Sequence, residues 1–423
     1  MAEEASQQVP LRLEELTANN AASELISEKR RPWQEVVADK VAIRDRLVQV
    51  HCRSLMAVQV ENITSIDDVG DLTERLSVGE FTAEEVTNCL TEICFDDAIT
   101  QAKRLDDYRK AHNRLMGPLH GVPISLKDQF NVKGFDSTLG YVGRAFNPAS
   151  SNALVVDFLQ SQGAIVLAKT NLPQSIMWGE TNNPLWGLTT HPMNPAFTPG
   201  GSTGGEGALL AMQGSLVGWG TDIGGSIRLP GHMNGLWAFK PSQDEYYSAD
   251  GGEDVRTAVL QGGEPFVPQI QKFIDRGPAI SVYQYWQVNK RKVAAQHAYL
   301  EMWNNMRSAS GRPVDILLVP TMAHPAVPHG RVTPWTGYTK LFNLLDYPAL
   351  SFPAGKVDKT IDIKLEPDYI ARNDADAWCQ DLYDLETMHG HHIGIQIVGR
   401  KFEEEKVLGA AQQIDRLISV PAK

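Results

Sequence analysis

Apolar positions recur at helical spacing from Pro32 to Leu55, with Trp33, Val36, Val37, Val41 and Ile43 set among acids and bases, which predicts an amphipathic helix. Ser65-Ile-Asp-Asp begins a second helix, and Thr82-Ala-Glu-Glu is a capping box in which Thr82 holds an N–H and Glu85 reaches back. Helical pattern continues through Arg114. The period changes at Gly117. Val122 to Leu126 reads as a short buried strand that delivers Lys127 at its C-terminal end, where open α/β sheets place their sites. Ser150 to Gln162 predicts a helix with Leu154, Val155, Phe158 and Leu159 inward and Gly163 as its stop. Ala164 to Lys169 then predicts a buried strand of the parallel-sheet type, joined to the Lys127 strand by a right-handed crossover. Val314 to Pro320 and His392 to Gly399 predict further buried strands. Phe402 to Ile418 predicts a closing helix with Leu408, Ala411, Ile414 and Leu417 on one face.

The alternation of strand and helix over 423 residues, without a Pro/Ser-rich linker or charge block, predicts one large α/β domain. It divides into a mainly helical region over 1–116, a core carrying the chemistry over 117–242, and a part over 250–423 that completes the sheet. A net charge of −12 from scattered acids argues against nucleic acid or an anionic membrane as partner. The N-terminus lacks a signal-peptide pattern, and no apolar run approaches the roughly 20 residues of a membrane span, so a soluble, cytoplasmic protein is expected. Cys52, Cys89, Cys94 and Cys379 have no CxxC spacing and read as reduced thiols. A homodimer is left open.

Two glycine-rich stretches carry candidate chemistry, Gly200-Gly-Ser-Thr-Gly-Gly-Glu206 and Thr221-Asp-Ile-Gly-Gly-Ser-Ile-Arg228. Glycines let backbone N–H groups converge on one point, as a phosphate loop or an oxyanion hole requires. Glu206 stands where a phosphate loop keeps its lysine, which favours the oxyanion. Ser226 is the candidate nucleophile, because Ile223, Gly224 and Gly225 precede it and can offer their N–H groups beside its hydroxyl. No Gly-x-Ser-x-Gly elbow is present and no histidine has an evident triad partner set. His120, His191 and His232 read as structural, and the His389, His391, His392 cluster as a polar loop rather than a metal site. Lys127 is left as the base, which requires lowering its pKa from about 10.4 to near 7, on the order of 4 kcal/mol and within what burial supplies. Ser202 would bridge the two. Trp178, Trp186, Phe197 and Trp335 are open between pocket and core.

Gly121-Val-Pro-Ile-Ser-Leu-Lys-Asp128, Pro199-Gly-Gly-Ser-Thr-Gly-Gly-Glu206 and Gly220-Thr-Asp-Ile-Gly-Gly-Ser-Ile-Arg228 resemble the signature blocks of the amidase signature family, especially its fungal acetamidase-like and fatty-acid-amide-hydrolase-like members. The resemblance covers nearly the whole chain. It implies a central mixed, mostly parallel twisted sheet covered by helices on both faces. It also implies a Ser–cis-Ser–Lys triad with Ser226 as nucleophile, Ser202 on a cis peptide as relay and Lys127 as base. The N–H groups of Ile223, Gly224, Gly225 and Ser226 would form the oxyanion hole, and Ile176 and Met177 would lie near the acyl channel. The implied activity is hydrolysis of a linear carboxylic amide through an acyl-enzyme, with a small-molecule amide as partner and no metal or organic cofactor. The other readings are the amidase subunit of a glutamine-dependent amidotransferase and a catalytically impaired amidase-like protein. The second arises because only Gln243 to Ala249 follow Ser242 where relatives carry a long segment, and the helix after Thr82 looks shortened. Such omissions predict exposed apolar surface beside the core.

Overall fold

The computed structural model describes residues 31–57, 89–242, 249–333, 335–363 and 369–418, with side chains of 51–57 excepted. The first predicted helix is α1, Trp33–Ala57. Its Trp33, Val36 and Val37 pack against Leu185 and Trp186. Lys40, from the same helix, reaches Glu92 at 2.6 Å and Asp136 at 2.8 Å. The helix expected at Ser65 and the capping box at Thr82 lie outside the described residues. Inside the region read as mainly helical, Leu90–Ile93 forms a strand, β1, before helix α2, Phe95–His112.

Strands β2 (Pro123–Lys127) and β3 (Ile165–Thr170) pair in parallel, with helix α3 (Leu154–Ser161) between them in sequence. A short hairpin, β4 (Asn182–Asn183) and β5 (Gly187–Leu188), leads to helix α4 (Gly204–Ala211) and strand β6 (Val217–Trp219). These build a first sheet of order β1-β3-β2-β6, in which β6 is parallel to β2 and β1 antiparallel to β3. Ile124, Leu126 and Val166 pack with Val156 and Leu159 of α3, while Ala168 packs with Ala208 and Leu209 of α4, so helices cover this sheet from two sides.

Helix α5 (Arg228–Asn234) and strand β7 (Ala238–Lys240) follow, then helices α6 (Glu253–Gly262), α7 (Pro268–Ile274) and α8 (Val282–Asn305). The chain continues through β8 (Leu317–Pro320), α9 (Gly337–Leu344), β9 (Ala349–Lys356), α10 (Asp374–Leu382), α11 (Leu385–Met388), β10 (His392–Val398) and α12 (Glu404–Ile418). The second sheet has the order β7-β9-β10-β8 and is antiparallel throughout. The mixed α/β architecture is therefore as expected, with the parallel pairing among the described residues confined to β2, β3 and β6.

Three local readings are corrected. In α3 it is Val156 and Leu159 that are buried, whereas Leu154 and Phe158 are 88% and 60% exposed. In α12 Val407 and Ala411 face the core with Ile414, and Leu408 and Leu417 face out. Strand β8 is a half-exposed edge rather than a buried strand. In each case the composition is right but the buried stripe is set by the neighbouring sheet.

Between the edges of β6 and β7, at the ends of the two sheets, lies a cavity of about 650 Å³ lined by Leu210, Trp219, Trp237 and Phe239. Trp237 is 41% exposed there, as the short connection after Ser242 predicts. Among the described residues no helix is long and apolar enough to cross a membrane.

Candidate active site

Lys127 closes β2 and is fully buried. Its Nζ donates to Ser202 Oγ at 2.8 Å and to Thr221 Oγ1 at 2.9 Å. Thr221 sends its own proton to Gln129 Oε1 at 2.8 Å, so its oxygen is left to accept from the lysine. Burial brings the Lys127 amine down to about 7, against the opposing pull of the Asp222, Glu206 and Asp128 carboxylates. A lysine so placed is substantially neutral near pH 7, which an exposed one is not.

The Gly201–Ser202 peptide is cis, and Ser202 is buried at the entrance to α4. The N–H of Thr203 donates to the Ser226 carbonyl at 3.1 Å, tying the two serine-bearing loops together. Ser226 borders a cavity of about 120 Å³ whose wall includes Ile176, Met177, Trp178, Ile223 and Leu229.

The loop before Ser226 is held by Asp222. Its carboxylate accepts from the backbone N–H groups of Gly225, Ile227 and Arg228 at 2.8, 3.2 and 3.2 Å. It also accepts from the Arg228 guanidinium at 2.9 and 2.8 Å, and Asp222 and Arg228 are both fully buried. Asn343, from α9, donates to the carbonyl and the carboxylate of Asp222 and accepts from Arg228. Thr339, one helical turn earlier, donates to the Gly224 carbonyl at 2.7 Å. The peptide between Gly224 and Gly225 is thus pinned at both its C=O and its N–H. Gly225 has φ +124°, and a Cβ there would lie 2.4 Å from Thr339 Oγ1, so only glycine fits.

The Gly225 N–H, one of the four expected to form the oxyanion hole, donates to Asp222 at 2.8 Å. The Ser226 N–H is oriented differently: the Gly225 carbonyl of the same peptide accepts from Leu229 N–H at 2.7 Å inside α5, and the N–H of a trans peptide points the opposite way. Gly224 and Ile223 border the cavity.

Other candidates sort by burial. Burial lowers His191, to about 4, and His232. His191 lies against the Met233 carbonyl, and the His232 ring bridges the His324 carbonyl and the Gly394 N–H, so both are structural. His120 accepts from the Met116 N–H through Nδ1 and does not line the Ser226 cavity. His391 stacks on Phe197 in the core, and among the described residues no three His, Cys, Asp or Glu side chains are grouped to hold a metal. Of the four aromatic residues only Trp178 lines the cavity. Trp186 and Phe197 are core, and Trp335 packs edge-on to Tyr338 at the surface.

Residue-by-residue reading missed Thr221, Gln129 and the Asp222–Arg228–Asn343 clamp. It also missed Glu206, whose buried carboxylate accepts from Ser125 Oγ at 2.6 Å and Thr170 Oγ1 at 2.8 Å. The available signal was that Thr221, Asp222, Arg228 and Glu206 fall inside the glycine-rich blocks.

A sequence model of the family described as amidase matches residues 71–263 and 262–408. The chain belongs to the amidase signature family. This amidase is 45% identical to Amidase 1 of Gibberella moniliformis over 92% of the chain and 100% of that protein. To Amidase 2 of the same fungus it is 47% identical, over 89% of the chain and 96% of that protein. Its fold is similar to that of a fatty acid amide hydrolase, with a TM-score of 0.74 at 24% identity over 92% of this chain and 91% of the other. The alignment with Amidase 1 runs over 521 positions, more than the 423 residues of this amidase, so that relative carries residues with no counterpart here. The family match likewise breaks into two stretches, meeting at 262–263, downstream of the omission read at Gln243 to Ala249. The protein is an amide hydrolase by family.

Proposed function

We propose that this amidase hydrolyses a linear carboxylic amide through an acyl-enzyme on Ser226, with Ser202 as proton relay and Lys127 as base. The observation that carries the reading is the buried Lys127 Nζ within 2.8 Å of Ser202 Oγ, with Thr221 as its second partner. A neutral amine has two N–H groups and one lone pair. Thr221 can only accept from it, because its own proton goes to Gln129, so one N–H is committed there, and the bond that Nζ donates to Ser202 is free to reverse in the neutral amine, the lone pair then accepting from the Ser202 hydroxyl.

In acylation the Ser226 oxygen forms a bond to the substrate carbonyl carbon. Its proton passes to Ser202 while the Ser202 proton passes to Lys127. The N–H groups of Gly224 and Ser226, beside the Ile223 backbone, face the oxyanion. The C–N bond then breaks, and the proton on Lys127 returns through Ser202 to the leaving nitrogen. Water repeats the sequence on the ester, releasing the acid and restoring Ser226. Ile176 and Met177 contact the acyl group. No metal or organic cofactor takes part, and the enzyme works in the cytoplasm.

A fluorophosphonate probe tests the assignment. Wild-type enzyme should label on Ser226 and Ser226→Ala should not. Lys127→Met and Ser202→Ala should label at least 100-fold more slowly, as expected on removing a base or its relay. Labelling of Ser226→Ala at the wild-type rate would refute it.

A further inference from the structure

Two stretches of the wall of the Ser226 cavity are joined by one side chain. The first stretch is Ile176, Met177 and Trp178, and the second is Phe273 of α7. The joint is Gln174, which is fully buried. Its Nε2 donates to the Pro265 carbonyl at 3.1 Å, and its Oε1 accepts from the Val267 N–H at 2.8 Å. A carbonyl only accepts and an N–H only donates, so these partners fix which way the amide faces. Val267 is the N-cap of α7, and Phe273 lies about 9 Å further along the helix at about 1.5 Å per residue. Ile270 and Ile274 of the same helix are buried, so α7 is a short packed piece whose starting end Gln174 holds. On the other side of Gln174 the backbone turns left-handed, with φ +61° at Ser175 and +59° at Ile176. A β-branched residue is rarely found there, and such a conformation persists only where its surroundings enforce it. The Ser175 N–H donates to the Leu139 carbonyl at 3.0 Å and the Ile176 N–H to the Pro173 carbonyl at 2.8 Å. The Leu139 N–H in turn donates at 2.8 Å to Asp128, the residue after Lys127. Glu264, next to Pro265, accepts from the Val142 N–H at 3.0 Å, so the turn over 139–142 braces both stretches.

We propose that Gln174 is a positioning residue that sets acyl selectivity: by tying the start of α7 to the left-handed Ser175–Ile176 turn, it fixes the spacing of Ile176 and Phe273 around the acyl group. The proposal rests on the acyl-enzyme reading above and specifies what determines its selectivity. Gln174 does not itself line the cavity, and both its bonds go to backbone groups, so it acts through the residues it holds. A fixed apolar wall separates substrates that differ by one methylene by about tenfold or more. A wall free to shift separates them less.

The test measures kcat/KM for acetyl, butyryl and hexanoyl p-nitroanilide with wild type, Gln174→Met and Val267→Pro. Methionine keeps the length of the side chain and makes neither bond. Val267 has φ −63°, which proline also takes, so Val267→Pro deletes the donated N–H from the other end of the same contact. Wild type should separate the best and worst of the three substrates by about tenfold or more. Each variant should reduce that ratio by about threefold or more, and the double variant should reduce it little further than Gln174→Met alone, because both changes break one contact. Labelling of Ser226 by diisopropyl fluorophosphate, which carries no acyl chain, should stay within about threefold of wild type in each variant, since no bond of the triad is altered. A ratio unchanged in both variants overturns the proposal, as does a wild type that does not separate the three substrates. So does labelling that falls in step with turnover of every substrate, which is the mark of a merely structural residue. Should Gln174→Met fail to fold, Val267→Pro decides alone. Failure of wild-type enzyme to label at all overturns the acyl-enzyme reading instead.

Discussion

Asp222→Asn should unfold this amidase more easily and disable it, for reasons that can be followed bond by bond. The carboxylate is fully buried and receives the N–H groups of Gly225, Ile227 and Arg228, two N–H groups of the Arg228 guanidinium, and the Asn343 amide. The Arg228 guanidinium and its hydrogen bonds hold Asp222 well below the usual carboxylate range despite burial. An asparagine of the same shape keeps one acceptor oxygen and turns an NH2 toward N–H donors. It also leaves the Arg228 charge, at 0% exposure, without its counter-ion. Breaking a buried pair in this way costs about 3–5 kcal/mol, a large part of the 5–15 kcal/mol that holds a typical domain together. The Gly225 peptide loses its anchor at the same time, so Ser226 should label with fluorophosphonate at least tenfold more slowly under conditions where the variant remains folded. Urea unfolding at pH 7 with labelling in parallel measures both. Arg228→Met combined with Asp222→Leu should recover much of the stability without the labelling rate. Because the folded-state value is depressed, the contribution of Asp222 is fully present above the ordinary carboxylate pKa of about 4 and is lost as the pH falls below it. A variant within about 1 kcal/mol of wild type at pH 7 would refute the account of the clamp.

Glu206, raised to about 7 chiefly by burial, is among the charges that raise Lys127, together with Asp222 and Asp128. Glu206→Gln should move the acidic limb of kcat/KM to lower pH, by up to about 1 unit, and an unmoved or raised limb in a pH series would count against this coupling. Gly225→Ala places a methyl 2.4 Å from Thr339 Oγ1 at φ +124°, and should lose labelling by at least tenfold. Thr339→Ser, which keeps the hydroxyl, should retain the wild-type rate. The cavity between β6 and β7, walled by Trp219, Trp237 and Phe239, should bind a hydrophobic dye in the native state, and Trp237→Ser should reduce the fluorescence.

Two levels of information meet in this molecule. Lys127 at the end of β2, the paired serines and the glycines between them are legible in the chain because each lies in a short contiguous block whose local conformation its own residues dictate, as Gly225 shows. The parallel pairing of β2 and β3 is legible for the same reason, since an apolar run, a helix and a second apolar run follow in order. The buried stripes of α3 and α12 were not: a helix offers several apolar arcs, and the sheet beneath selects one, Val156 and Leu159 rather than Leu154 and Phe158. The donors around Asp222 come from Arg228 and from Asn343, 121 positions away, and the wall of the Ser226 cavity draws Ile176, Phe273 and Thr336 from separate segments. Local pattern thus determined which groups are the candidates for the chemistry. Packing between distant segments alone decided their charge states, the commitment of the Gly225 N–H to a carboxylate, and what else lines the cavity, because desolvation and hydrogen-bond partners depend on neighbours in space rather than along the chain.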